Sequence, residues 1–356
     1  MTSISVLRRG LIKPLTEWPL PGESDAWSYV ETHCKALLES AAFQRLRNIT
    51  FLGILAPRFR ALEGHPIFSR SHIKKTDGTR ADHSVGVSHL FSELVHSMGL
   101  GKEAEKYAMV WGLVHDISTW ALSHTSEPAF TAITGISTHE LRHMMILGDR
   151  RLPSRFELTQ QLKEIGIMPS QLAQLFDKSA YISNSTIKLP TNLEMIREIA
   201  RSPITPDSIE GMFRSGHVLG VSVPKPSKFS HILHGGCLFP SFSGDSAGNR
   251  KNVVRFWEAK SKIYSEYINS LQSIRWESAW SKAIERVYYD ISLGDSLELS
   301  ESDIIAQVLK EGLSETTLQF RYKAPLKYIV NQDQTKLLNR SPLLKDLNRV
   351  LTKEKT

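Results

Sequence analysis

Two adjacent residues, His115 and Asp116, are the first candidates for chemistry in this chain. An imidazole and a carboxylate together suit a divalent ion of borderline or hard character. Consecutive helical residues point about 100° apart, so both reach one ion only if it lies between their directions, which leaves room for ligands from other helices. The same dipeptide also fits a core histidine capped by a neighbouring carboxylate, and among 13 histidines a chance pair is expected. A second pattern competes with it. His139-Glu140-Leu141-Arg142-His143 satisfies HExxH, with two histidines on one helical face and a candidate base between them, as in zinc peptidases. Against that reading, Arg142 puts a positive charge inside the motif and no third-ligand helix signature follows it. His231 and His234 stand beside Gly235-Gly236 and read as turn residues rather than ligands.

The elements that must carry these residues are helical. From His83 to Met98, apolar Val87, Leu90, Phe91, Leu94, Val95 and Met98 recur at three- and four-residue steps, and Gly99 stands where a C-cap belongs. The run from Glu103 to Ile117 repeats the pattern through Tyr107, Val110, Trp111 and Val114, so His115 and Asp116 fall at the end of a helix whose other face is core. Trp27 to about Leu55 is broadly helical with a cap near Ser40, and residues 138–147, 157–164, 169–175, 193–200 and 208–214 supply shorter helical segments. Residues 1–25, with Pro14, Pro19, Pro21 and Gly22, form an irregular lead-in, and the basic stretch from Pro57 to Arg80 reads as a loop turning at Asp77-Gly78. After Gly220, alternation around Gly235-Gly236 predicts a short hairpin, followed by helices over 253–268, 276–289 and 302–311 and a basic tail over 345–355. The expected fold class is mostly α: a helical core over residues 26–225, then a C-terminal region over 226–356 with a small β-hairpin and helices.

Three spaced elements occur in a fixed order: Arg80-Ala-Asp-His83-Ser-Val-Gly-Val, then Gly112-Leu-Val-His115-Asp116, then Asp207-Ser-Ile-Glu-Gly-Met-Phe-Arg214. This resembles the HD superfamily of helical, metal-dependent phosphohydrolases, and within it the deoxynucleoside triphosphate triphosphohydrolase branch. The stretch Phe43-Gln-Arg-Leu-Arg47-Asn-Ile-Thr-Phe-Leu-Gly53, the pair Ser123-His124 and the pair His139-Glu140 resemble further segments of that branch. The likeness covers roughly residues 35–220, and the C-terminal third only in outline. It implies an HD helical bundle in which His83, His115, Asp116 and Asp207 bind one divalent ion (Mn, Mg, Fe or Zn). It implies that Arg80 holds a phosphate, that His124 and His139 act as general acid or charge stabiliser, and that Glu127 orients a histidine. Lys260 falls about where the branch has an arginine gripping the distal phosphates. Gln44, Arg47 and Glu39 sit where a eukaryotic member of that branch has a regulatory nucleotide site, and the same residues also suit a helix-to-neighbour contact.

The pocket departs from the branch more than the metal centre does. Phe51 stands where the branch has a glutamine reading the sugar hydroxyl, and Thr119 where many members have a second histidine. Gly211 and Ser215 replace a tyrosine and an aspartate, and Ser208 a lysine. The expected function is hydrolysis of nucleotide phosphate esters, foremost a dNTP to deoxynucleoside and triphosphate. The alternatives are another HD chemistry, a nucleotidase or an oligonucleotide or cyclic-nucleotide phosphodiesterase, and a nucleotide- or nucleic-acid-binding regulator with little turnover, which the basic residues between Arg70 and Arg80 would serve. The resemblance also implies a homo-oligomer.

Composition agrees with a folded chain of this kind. The apolar fraction of 41% and charged fraction of 23% are those of ordinary globular proteins. A net charge of +7 favours anionic partners, nucleotides and nucleic acid included, without choosing among them. Cys34 and Cys237 are too few for a disulfide framework, which suits a reducing cytoplasm. No apolar run of about 18 residues predicts a membrane span, and none follows Arg8-Arg9 as a signal peptide requires.

Overall fold

The computed structural model describes residues 26–59, 62, 64–66, 78–176, 189–201, 204–226 and 247–313. The lead-in, most of the basic loop with Arg70, Lys74 and Lys75, the hairpin expected around Gly235-Gly236 with His231, His234 and Cys237, and the basic tail lie outside the described residues. What is described is mostly helical, as expected. In chain order the helices are α1 (Ala26–Glu39), α2 (Ala41–Leu46), α3 (Arg80–Ser97), α4 (Lys102–Val114), α5 (Glu127–Thr134), α6 (Thr138–Leu147), α7 (Thr159–Glu164), α8 (Pro169–Phe176), α9 (Thr191–Ala200), α10 (Pro206–Leu219), α11 (Ala247–Ile263), α12 (Leu271–Val287), α13 (Leu293–Glu298) and α14 (Glu301–Glu311). A π turn over Tyr264–Ile268 prolongs α11.

The centre of the bundle is α3 packed along α4. The apolar periodicity of α3 predicts one buried face, yet its opposite face is buried too, including Asp82, His83, Ser84 and Ser88. Small residues make that possible. Ser88 donates to the Met109 carbonyl at 2.7 Å, and Gly112 lies directly against the Ser88 backbone. Around this pair, one hydrophobic core runs from Ala26 and Trp27 on α1 to Ile304 and Val308 on α14.

Helix starts fix where the site residues fall. Thr79 caps α3 through a capping box with Asp82, its amide donating to Asp82 Oδ2 at 2.9 Å while Asp82 N donates to Thr79 Oγ1 at 3.2 Å. Such a cap stabilises a helix start by about 1 kcal/mol. It makes Arg80 the first helical residue and puts His83 one turn on, so the helix begins earlier than its apolar pattern indicates. Thr205 caps α10 in the same way with Ser208, with Pro206 in the first turn, which sets Asp207 at a helix N-terminus where the dipole favours a carboxylate. The cap expected at Ser40 is present: Ser40 Oγ accepts from Phe43 N at 3.2 Å. Beyond it the helix stops at Leu46 rather than continuing to Leu55, and the chain instead forms a single bridge between Thr50 and Thr79.

Candidate metal centre

His83 rises from the first turns of α3, His115 caps the C-terminus of α4, Asp116 follows it, and Asp207 sits at the start of α10. Their donor atoms converge. His83 Nε2 is 3.1 Å from His115 Nε2, 3.1 Å from Asp207 Oδ1 and 3.7 Å from Asp116 Oδ2. His115 Nε2 is 3.6 Å from both Asp116 Oδ2 and Asp207 Oδ1. Ligands about 2.1 Å from one ion in tetrahedral or octahedral array stand about 3.0–3.4 Å apart, so this spacing fits a single divalent ion. The group His83, His115 and Asp116 is able to hold a metal ion, and Asp207 brings a fourth donor to it.

Both histidines are oriented through an acceptor at Nδ1. His115 Nδ1 donates to the Gly112 carbonyl at 2.8 Å, and His83 Nδ1 donates to the Glu210 carboxylate, which leaves each Nε2 lone pair turned to the centre. Glu210 is itself fixed by Arg214, whose Nε and Nη2 donate to Glu210 Oε1 at 3.0 and 2.6 Å. Electrostatics follow. Burial opposes charge on His83, but Glu210, Asp207 and Asp116 together lift its pKa to about 9. Burial likewise opposes the Asp116 carboxylate, yet His115, Arg80 and His83 hold it down at about 2, and Asp207 is held well below the usual carboxylate range by the two imidazoles. Anionic carboxylates favour a cation here, and an ion that binds displaces the proton that His83 holds.

Arg80 is buried beside this cluster rather than lying on the surface at a helix start. Its Nη1 pairs with Asp116 Oδ2 at 2.7 Å, its Nε donates to Ser123 Oγ at 3.0 Å, and its guanidinium lies 4.8 Å from the Phe51 ring centre. A pocket of about 260 Å³, at the small end for organic ligands, opens over these groups. Among its lining residues are Phe51, Arg80, His83, Asp116, His124, Asp207, Gly211, Lys260 and Glu277. Phe51 packs on His83 with ring centres 4.8 Å apart, and its Cζ would be 3.5 Å from a Cβ on Gly211, so the aromatic ring uses space that a larger residue at 211 would fill. Lys260, also in the lining, has Nζ 5.1 Å from the Trp257 ring centre.

His124 lines the pocket, and its Nδ1 is 3.1 Å from Glu127 Oε2. Glu127 in turn accepts from Thr138 at 2.7 Å. His139 is exposed at the start of α6 and is not among the pocket-lining residues; its Nδ1 accepts from Arg142, which also donates to the His115 carbonyl at 2.9 Å. His143 is buried with Nδ1 on the His139 carbonyl at 2.8 Å, so the HExxH histidines differ in exposure and join no metal-ligand group among the described residues. On α2, Gln44 donates to the Leu38 carbonyl, and Arg47 lies 4.9 Å from the Trp27 ring centre, contacts that hold this helix to its neighbour.

Three residues at the site escape a sequence reading. Glu210 and Arg214 form an i, i+4 pair on α10, a pattern that is visible in the sequence but also common on exposed helices. Glu277 on α12 lines the pocket and accepts from Thr125 Oγ1 at 3.0 Å, and burial pushes its pKa up to about 7 against that hydrogen bond. The backbone of Leu122 and Ser123 is left-handed, with φ of 64° and 53°, a cost on the order of 1 kcal/mol each that the surroundings must offset. The described residues contain no helix long and apolar enough to cross a membrane. Compared with protein-family models and with curated proteins, the sequence finds no match.

Proposed function

We propose that the protein is a metal-dependent phosphohydrolase acting on nucleotide phosphate esters, with a dNTP giving deoxynucleoside and triphosphate as the foremost reaction. The observation that carries this reading is the convergence of two imidazole nitrogens and two carboxylate oxygens within 3.1–3.7 Å beside the buried guanidinium of Arg80. A divalent ion bound there supplies charge that acidifies water and polarises a phosphoryl oxygen. The residues do the rest. Glu210 and the Gly112 carbonyl hold the imidazoles in the ligand tautomer. Arg80, kept in place by Ser123 and Asp116, stands ready to share its donors with a phosphate, and Lys260 adds a second positive group to the pocket lining. His124, oriented by Glu127, is the group to give a proton to the departing ester oxygen as water oxygen bonds to phosphorus and the P–O bond breaks.

Phe51 and Gly211 favour keeping a second reading: an apolar ring occupies the wall where the branch reads the sugar hydroxyl, which suits a different nucleotide ester, a monophosphate or an oligonucleotide. One experiment separates the readings. Purified protein and its Asp116→Ala variant are incubated with dNTPs, NTPs, nucleoside monophosphates and short oligonucleotides plus Mn²⁺ or Mg²⁺, and the products are resolved by chromatography. Deoxynucleoside and triphosphate from the wild type alone support the first reading, other phosphate products support the second, and no turnover with any metal removes both and leaves a binding role.

A further inference from the structure

The C-terminal helices place three side chains on the loop that follows the His115-Asp116 pair. Thr125 Oγ1 donates to Glu277 of α12 at 3.0 Å, Trp120 Nε1 donates to Ser296 of α13 at 3.3 Å, and Leu122 N donates to Glu301 of α14 at 3.3 Å. Of these, Glu301 does most. It is 4% exposed, and its carboxylate also accepts from Thr50 N at 2.8 Å and Thr50 Oγ1 at 2.5 Å. Arg58 Nη1 stands 3.7 Å from Oε2, the oxygen that accepts from Thr50 Oγ1.

Those bonds tie together the two backbone segments that hold Arg80. The Ile49 carbonyl accepts from Arg80 N at 2.8 Å, the Thr50 carbonyl accepts from Ser123 Oγ at 2.6 Å, and Ser123 Oγ accepts from Arg80 Nε at 3.0 Å. Left-handed Leu122 and Ser123 have no glycine to ease that conformation, so a buried acceptor on the Leu122 amide is what keeps the turn in place. Gly53 completes the seat, because a Cβ there would collide with the Leu122 carbonyl. The segment Ser123–Thr125 includes His124.

We infer that Glu301 is a positioning residue: from α14 it clamps the Thr50 and Leu122 backbones and so sets the geometry of Arg80 and His124. The C-terminal helices are then part of the site rather than an appendage. The functional half of the inference rests on the phosphohydrolase reading; the clamp itself does not.

The test compares Glu301→Ala and Glu301→Gln with Val308→Ala, which removes a buried core side chain from the same helix while keeping the Glu301 carboxylate. Hydrogen exchange by mass spectrometry reads the clamp, Mn²⁺ titration reads the metal centre, and binding of inorganic triphosphate to the Mn²⁺-loaded protein reads Arg80. Glu301→Ala is expected to lose exchange protection over residues 120–126, keep Mn²⁺ affinity within about threefold, and bind triphosphate about tenfold or more weakly, since small misplacement of a phosphate-binding group is costly. Glu301→Gln, which retains one acceptor oxygen, recovers part of the loss. Val308→Ala lowers Tm and leaves both loop protection and triphosphate affinity near wild type. Unchanged exchange over 120–126 in Glu301→Ala overturns the clamp, and so does an equal loss in Val308→Ala. If wild type binds no triphosphate, the phosphohydrolase reading fails while the exchange result still decides the clamp.

Discussion

Gly112 on α4 lies so close to Ser88 on α3 that a Cβ added to it would stand 2.5 Å from the Ser88 backbone nitrogen. The obstacle is backbone, which cannot swing aside as a side chain can. This contact brings the two central helices together, and His83 and His115 sit one on each of them. Gly112→Ala is therefore expected to push the helices apart, cost about 3 kcal/mol and lower Tm by about 4 °C. Because the Gly112 carbonyl also fixes the His115 ring, Mn²⁺ affinity should fall with stability. A variant that keeps wild-type Tm by calorimetry contradicts the packing described.

Glu210 is buried and serves two partners at once, His83 through Oε2 and Arg214 through Oε1. A glutamine has one oxygen for these two donors, and its amide group would face either His83 or Arg214. Glu210→Gln should weaken Mn²⁺ binding about 10- to 100-fold while leaving the helical content intact. Titration calorimetry with far-ultraviolet circular dichroism checks both halves. Equal affinity in the variant means that the His83 ring is fixed without this carboxylate.

Gly211 faces Phe51 and His83 at distances that a methyl group would just occupy, 3.5 and 3.6 Å. Gly211→Ala should thus be tolerated, and by relieving the entropy of a mid-helix glycine it should stabilise the protein by about 0.5–1 kcal/mol. Gly211→Phe should instead displace the Phe51 ring and lower Mn²⁺ affinity through His83. Thermal denaturation of the two variants distinguishes a pocket shaped by this small residue from an indifferent helix position, in which both would behave alike.

The legibility of the site follows the distance over which each contact acts. His115-Asp116 stands out in the sequence because both donors are adjacent and end an apolar-periodic helix. Its partners lie farther off: His83 is 32 residues away, and Asp207 is 124 residues from His83, so only the likeness to a known motif order singled them out. Glu301 and Thr50 are 251 residues apart, and no local pattern connects them. Misjudged elements have local causes. α5 has no clear sequence signal because Pro128 reads as a breaker although it stands in a first turn, where a missing amide costs nothing, and α13, at six residues, is too short to show a period. His139 carries a recognisable motif, yet exposure and the contact with Arg142 keep it out of the pocket lining.

Glu277 makes the stability of the fold depend on pH in a direction opposite to that of a salt-bridged carboxylate. Its pKa rises from an ordinary 4.5 to about 7 because burial penalises the charged form, with Thr125 giving a partial counterweight. Between those values the folded protein holds a proton that the unfolded chain has released. The contribution is therefore fully present below about pH 4.5 and is lost as pH climbs to about 7. Glu277→Gln keeps an oxygen to accept from Thr125 and never ionises. Its Tm should match wild type below about pH 4.5, exceed it increasingly up to about pH 7 and stay above it by a constant margin at higher pH, whereas a difference in Tm independent of pH would show that this carboxyl is charged throughout. The same variant tests the pocket: an uncharged wall at 277 should bind a nucleotide phosphate no less tightly at pH 8, since a carboxylate there repels the anion that Arg80 and Lys260 attract.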